Sequence, residues 1–248
     1  MKIATWNVDR VSPGYGARSE RIRRAIEDVE TDVWVLTETH PDFTPGDGFE
    51  RAAVSATAPD RKGVQCWVAI WVRKDWDSAE LTLTGQPERS AACLLRRTIG
   101  KPIIIFGCVL PWRSDVRHSV LRGGEAFAHA IEAHSADWNH LRMKHPEAVF
   151  CLAGDLNQEL NANGPVGTKR GRDALDEALG LGDRDIECIT GGDLDPLVAK
   201  GWPASIDHIA IGPGLQIVPN SHYIWPDHYP LQKTMSDHHG VRVELTDT

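Results

Sequence analysis

The feature that most constrains this chain is its series of short apolar runs of strand length, each closed by a polar or turn-forming residue. "KIATWNV" (2–8), "DVWVLTE" (32–38), "VQCWVAIWV" (64–72), "AELTLT" (79–84), "SAACLLRRT" (90–98), "PIIIFGCVL" (102–110), "AVFCLAGD" (148–155), "SIDHIAIG" (205–212), "QIVPNSHYIW" (216–225) and "GVRVEL" (240–245) are rich in β-branched and aromatic residues. Gly, Pro, Asp or Lys clusters bound them, so each is read as a strand. Between them lie three helical patterns. "RSERIRRAIEDVE" (18–30) repeats Ile22, Ala25, Ile26 and Val29 at helical spacing, and the stretch 117–144 carries Val120, Phe127, Ile131, Trp138 and Leu141 along one face despite the Gly123-Gly124 pair. "GRDALDEALGLG" (171–182) is a short helix with a glycine stop.

Strands thus outnumber helices, and each half of the chain runs helix plus sheet. The runs between 64 and 110 read as an antiparallel meander rather than as repeated βαβ units. Two sheets packed face to face with helices outside would bury both faces of the core, which predicts an α/β fold built as a four-layered α/β/β/α sandwich. The length of 248 residues suits one such unit, and no Pro/Ser-rich linker or repeat divides it, so residues 1–248 are expected to form a single domain.

Composition narrows the class. With 41% hydrophobic and 25% charged residues and no apolar run of about 18 to 20, the chain reads as soluble, with no integral membrane association and a monomeric state expected. "MKIATWNVDR" turns polar too soon for a secretory leader. Five cysteines show no zinc or redox spacing, and Cys66, Cys93, Cys108 and Cys151 lie in apolar runs, which fits a reducing, cytoplasmic setting. A net charge of −8 argues against a protein that grips duplex DNA by charge alone, although a divalent metal could supply the missing positive charge. Nine tryptophans stand against five phenylalanines. Trp67, Trp71 and Trp138 are expected in the core with hydrogen-bonded indole N–H groups, whereas Trp112, Trp202 and Trp225 sit where a substrate could be met.

Polar groups gather at strand ends. Asn7 and Asp9 close the first run, Glu38 the second, Asp155 and Asn157 follow "VFCLAG", Asp207 lies in "SIDHI", and Asp237 and His238 precede the last run. Any one of these could be a local turn bond. Five strand mouths behaving alike point to convergence at one sheet edge, where several carboxylates would repel unless a hard cation lay among them. Mg²⁺ or Mn²⁺ suits such oxygens. Amide and imidazole donors add the means to hold phosphate oxygens, and a carboxylate the means to orient water, so the set suits hydrolysis of a phosphate ester.

"TWNVDR", "LTETH", "GDLNQEL", "SIDHI" and "SDHHGV", in this order from residue 5 to 241, resemble the metal-dependent endonuclease/exonuclease/phosphatase superfamily, which includes exonuclease III-type and DNase I-like enzymes. The resemblance implies the same four-layered fold and assigns roles. Glu38 resembles the principal metal ligand, with Asp9 and Asp237 as further carboxylates near the metal. Asn7 would support metal and phosphate, Asp155 would align or deprotonate the attacking water, and Asn157 would hold a phosphate oxygen. His238 would contact the phosphate, with Asp207 orienting its ring. His208 and His239 receive no role and are expected in packing or at the surface.

The chain departs from that pattern after "PIIIFGCVL". Relatives that cut nucleic acid often present Tyr or His there, followed by Pro and Asn, whereas this chain has "CVLPWR", with Val109 or Leu110 and Trp112 at those positions. Arg113 or His118 could compensate. Arg10 and Arg18, and Lys169, Arg170 and Arg172, form two basic clusters beside the polar segments; each is either a solvated surface or a path for a polyanion. The expected activity is phosphodiester hydrolysis, with DNA or RNA among the candidate partners. The rival readings are a phosphatase or phosphodiesterase on small-molecule or lipid substrates and, from another class, an inactive binding module. An intact polar set argues against the last.

Overall fold

The computed structural model describes residues 1–14, 16–57, 66–112, 124–161, 165–180, 186–231 and 234–248. Arg113, His118, Val120 and Gly123 lie outside them. The first sheet holds β1 (Lys2–Asn7), β2 (Val33–Thr39), β3 (Phe49–Val54), β4 (Cys66–Arg73) and three strands from the chain's end, β11 (Leu215–Ile217), β12 (Tyr223–Trp225) and β13 (Gly240–Asp247). Its order is β11-β13-β1-β2-β4-β3, with β12 also pairing β13. The second sheet runs β5-β6-β7-β8-β10-β9, from β5 (Asp77–Leu81), β6 (Ser90–Arg96), β7 (Ile103–Val109), β8 (Val149–Asp155), β9 (Glu187–Cys188) and β10 (Asp207–Ile211). Three helices, α1 (Ala17–Glu27), α2 (Gly124–Lys144) and α3 (Lys169–Gly180), complete the longer elements among the described residues.

Three apolar clusters account for the layers. Ile22 and Ile26 of α1 pack with Ala4, Trp6, Trp34 and Leu36 on one face of the first sheet. Ile3, Val33, Val35, Ile105, Cys151 and Val243 belong to a cluster drawn from both sheets. Phe127, Ile131 and Trp138 of α2 and Leu175 of α3 cover Ile104, Phe106 and Leu152 on the outer face of the second sheet. Successive strand residues point to opposite faces, so Ile3/Ala4 and Phe150/Cys151 divide between clusters, and strands covered on both faces read as unbroken apolar runs. The result is the α/β/β/α sandwich. Gly107 marks how closely the sheets approach, since a Cβ there would lie 2.7 Å from Val68 Cγ1 and 2.9 Å from Val35 Cγ1.

The topology differs from the sequence expectation in its middle. β3, unforeseen, pairs with β4 in the first sheet, while β5, β6 and β7 form the antiparallel meander of the second. The expected meander therefore divides between two sheets, a choice that local periodicity does not encode. Two parallel pairs, β1 with β2 and β7 with β8, flank α1 and α2 in sequence. A parallel pair needs a crossover connection, and a helix supplies it. The run 216–225 is broken into β11 and β12 around Pro219 and Asn220, the latter with φ 59°. Trp67, Trp71 and Trp138 are buried as expected. The indole N–H groups of Trp71 and Trp138, however, find no hydrogen-bond partner among the described residues. Trp225 is also core, edge-on to Trp6 and Trp34.

Candidate active site

The strand register delivers polar groups into one place. Asn7 follows Ile3 and Thr5 at period two on β1, and Asp155 follows Val149, Cys151 and Ala153 on β8, so both continue a row that faces the other sheet. Asp207 sits directly opposite Asp155 in the β8–β10 ladder and precedes Ile209 and Ile211 on the same face. The cluster between the sheets therefore ends in amide and carboxylate groups. Asn7 Nδ2 donates to Asp155 Oδ2 at 2.9 Å and to Glu38 Oε1 at 3.3 Å, joining the two sheets. Its Oδ1 accepts from the Asp9 backbone N–H at 2.9 Å.

His238 closes this floor. Its Nδ1 lies 2.5 Å from Asp207 Oδ2, and Nε2 points toward Asp237 Oδ1 at 3.8 Å. A serine and a tryptophan fix the ring's backbone: Ser236 Oγ donates to the Asn7 carbonyl at 2.6 Å and accepts from His238 N–H at 3.1 Å, and Trp6 Nε1 donates to the His238 carbonyl at 3.0 Å. Ser205 accepts from Asp207 N–H at 3.1 Å. Asp155, Asp207 and His238 each present a ligand-type atom within 4.8 Å of the others. Asp207 Oδ1 is buried with no hydrogen-bond partner among the described residues, a vacancy in hydrogen bonding that costs free energy unless a ligand fills it.

A second, more open shell lies beside it. Asp9 (φ 44°), Arg10 (φ 59°) and Glu38 (φ 47°) all adopt left-handed backbone conformations, which non-glycine residues hold only when their surroundings compel it. The two strand exits are stitched together by Arg10 N–H to Glu38 C=O at 2.6 Å and Val8 N–H to Thr37 C=O at 3.0 Å. Arg10 Nε lies 3.1 Å from Glu38 Oε2, and Arg18 Nη2 lies 3.1 Å from Asp9 Oδ2. Arg18 also donates to the Val8, Asp9 and Met235 carbonyls, tying this exit to the loop before β13. Asp237 is exposed at the mouth.

The surroundings move the titrations apart. Burial, reinforced by the Asp207 carboxylate, raises the Asp155 pKa to about 7, against the opposing effects of His238, the Asn7 amide and the Asn157 N–H. For His238 burial opposes protonation, but Asp207, Asp155 and Asp237 together outweigh it and hold the pKa up at about 10. Asp9 is raised by burial, with Asp237 and Glu38 adding to the effect and Arg18 opposing it. Carboxylates bearing on one another in this way make an oxygen-rich site suited to a hard divalent cation.

Each of the eight residues singled out from the sequence lies in this region. Asn157 (φ 50°) turns back on Asp155, its N–H on Asp155 Oδ1 at 2.9 Å, and spends one Nδ2 hydrogen on the Leu110 carbonyl at 2.9 Å. His208 is buried with Nε2 on the Gln158 carbonyl, and His239 bonds the His228 carbonyl, so both serve packing. Val109 and Leu110 are fully buried, and Trp112 packs against Trp67. Ser236, Ser205 and the Arg10–Glu38 pair were missed. A serine one residue before Asp237 in "SDHH" is a turn signal that could have disclosed Ser236. Arg10 stood out as part of a basic cluster, but nothing local announces its pairing with Glu38. Lys169 is paired with Asp173 at 2.7 Å along α3.

Known proteins resemble this chain in family and in fold. The endonuclease/exonuclease/phosphatase family matches residues 4–238, and no curated protein matches the chain. Among solved structures, the mannosyl-6-phosphatase of Bacteroides thetaiotaomicron VPI-5482 superposes with a TM-score of 0.67 at 16% identity over 99% of both chains. The human Nocturnin catalytic domain gives 0.67 at 15% identity over 100% of this chain and 93% of that one. The 3′-5′ exonuclease NExo of Neisseria meningitidis gives 0.65 at 18% identity, covering 98% and 99%. At such identities the likeness carries the fold, whereas the family match spans nearly the whole chain and includes all eight of the polar residues singled out above. This chain belongs to the endonuclease/exonuclease/phosphatase family.

Proposed function

We propose that the protein hydrolyses phosphodiesters with Mg²⁺ or Mn²⁺. The observation that carries this is the Asp207–His238 pair set against Asp155, with the Asn7 amide bridging Asp155 to Glu38. Glu38, Asp9 and Asp237 would hold the ion, which when bound neutralises phosphate charge. Asn7 has both Nδ2 hydrogens on Asp155 and Glu38, so it acts as a positioning residue. Asp155, with its pKa pushed up to about 7, is matched to taking a proton from water near neutral pH. His238, held protonated beside Asp207, offers Nε2–H to a phosphate oxygen rather than acting as the base. Two groups whose environments push their pKa values apart divide acid and base roles in this way. Asn157 retains one Nδ2 hydrogen for a second phosphate oxygen.

A phosphatase acting on small substrates is the second reading, favoured by the buried, apolar Val109 and Leu110 where nucleic-acid-cutting relatives carry a polar group. The test is hydrolysis of bis(p-nitrophenyl) phosphate and of phosphomonoesters with Mg²⁺, with Mn²⁺ and with EDTA. Chelation is expected to abolish turnover and either ion to restore it. Undiminished hydrolysis in EDTA refutes the mechanism, and the ratio of diester to monoester rates chooses between the two readings.

A further inference from the structure

The packing of His208 uses only one of its two ring nitrogens. Along β10, Asp207, Ile209 and Ile211 face the other sheet, so His208 and Ala210 point to the opposite side, the one that α2 and α3 cover. The edge strand β9 pairs with β10 so that Cys188 stands opposite Ala210. Residues opposite one another share a face, which makes Cys188 the diagonal neighbour of His208 on that outer side. Cys188 is half-buried against the outer cluster, whereas Cys66, Cys93, Cys108 and Cys151 are fully enclosed.

The surroundings fix the tautomer of His208. A carbonyl oxygen only accepts, so Nε2, 3.0 Å from the Gln158 carbonyl, carries a proton, and in the neutral ring Nδ1 is a bare lone pair. This nitrogen is buried and has no nitrogen or oxygen partner among the described residues. The group beside it is the Cys188 sulfur, near enough to act on the ring by hydrogen bonding and by charge. Burial opposes protonation of the ring, but Cys188, the Gln158 carbonyl and Asp195 outweigh it and hold the pKa up at about 9. Glu159 also faces the ring electrostatically. The thiol's other polar neighbour, the Ile209 carbonyl at 3.7 Å, accepts a hydrogen bond but cannot keep a proton.

We infer that Cys188 is a modification site, a thiol that gives its proton to His208 Nδ1 and is oxidised to the sulfenic acid by a small hydroperoxide. The thiolate is the reactive form of cysteine. Its sulfur attacks the terminal peroxide oxygen, an S–O bond forms as the O–O bond breaks, and the departing alkoxide or hydroxide takes the proton from His208 Nδ1. Sulfur is oxidised by two electrons, the peroxide is reduced to an alcohol or water, and the ring ends neutral as it began. A hydroperoxide suits the place on two counts. It needs a proton at its leaving oxygen, which the ring holds, and it is small enough for a crowded sulfur: a Cβ on Gly191 would lie 3.1 Å from Cys188 Sγ and 2.7 Å from Leu160 Cδ1. The site is on the far face of the sheet from Asp155 and Asp207, and it stands independently of the hydrolase reading.

The test treats the intact protein with hydrogen peroxide at neutral pH, traps sulfenic acid with dimedone and maps the adduct by mass spectrometry over time. Cys188 should be labelled first among the five cysteines, with a rate constant at least about tenfold above that of N-acetylcysteine under the same conditions. His208→Gln retains a donor for the Gln158 carbonyl but has no base, and should bring the rate down to that of N-acetylcysteine while the circular dichroism spectrum stays unchanged. A wild-type rate no higher than that of N-acetylcysteine, or earlier labelling of another cysteine, overturns the inference. A folded His208→Gln protein with an undiminished rate does so as well. Should His208→Gln fail to fold, the wild-type rate against N-acetylcysteine decides alone.

Discussion

Asn7 shows how one side chain can hold a site together. Its amide spans the gap between sheets, from Glu38 to Asp155, and its carbonyl oxygen braces the turn at Asp9. Glu38 meanwhile carries a competing partner, because Arg10, about half exposed, lies on Oε2. An ion entering at Glu38 must displace or share with that guanidinium. Arg10→Gln is therefore expected to tighten Mn²⁺ binding about two- to fivefold, the scale of a partly exposed ion pair. Calorimetric titration of metal into both proteins reads it, and equal affinities would contradict the competition. Asp207 and His238 give a second prediction. A carboxylate on one ring nitrogen fixes the tautomer and leaves the other nitrogen for substrate, so the two act as a unit. His238→Ala should lower kcat/KM about 10²- to 10³-fold, Asp207→Ala less, and the double variant little more than His238→Ala alone. Fully multiplicative losses, or a His239→Ala variant as impaired as His238→Ala, would show that the wrong pair has been chosen.

At the scale of an element, α2 carries a group the site does not use. His134 is fully buried against Phe106, ring centroids 5.7 Å apart, and neither ring nitrogen has a hydrogen-bond partner among the described residues. Burial lowers its pKa to about 4, with Arg89 adding to the effect and Asp137 opposing it. Unfolded, the ring titrates near 6.5. Between those values the unfolded chain binds a proton that the folded chain refuses, so stability falls as pH drops through the window and is unaffected by this group above it. The full effect is on the order of 3 kcal/mol. Urea unfolding should show the wild type losing stability between pH 6.5 and 4, and His134→Leu losing distinctly less. Parallel curves for the two proteins would place the acid sensitivity elsewhere.

Across the whole molecule the charge is −8, and among the described residues Arg10 is paired with Glu38, Arg18 with Asp9 and Lys169 with Asp173. A groove that tracks a polyanion instead needs cations ready to replace counter-ions. The expected salt dependence is accordingly shallow. For a single-stranded oligonucleotide, log KM against log salt should have a slope below about 2, corresponding to two or three phosphate contacts. Replacing Lys169, Arg170 and Arg172 together by Gln should leave hydrolysis of bis(p-nitrophenyl) phosphate unchanged. A slope of about 4 or more that collapses in the triple variant would mean that this rim binds nucleic acid after all.

The sequence by itself determined most of the strands, the three helices and the identity of the polar residues at their ends, because alternation, helical spacing and turn chemistry are local properties, whereas β3 and β9 carried no such local signal. The order of "TWNVDR", "LTETH", "GDLNQEL", "SIDHI" and "SDHHGV" likewise announced the family from the residues alone. Tertiary structure decided what those residues do to one another. Asn7 and Asp155 are 148 positions apart and meet only because β1 and β8 lie in facing sheets with their inward registers ending at the same edge. The division of the meander between sheets, the pairing of Arg10 with Glu38 and the stack of Trp202 on Tyr229 and His239 depend equally on long-range packing. Strand periodicity says which face a side chain takes, but only the closed sandwich determines which groups share that face and how far burial shifts their protons.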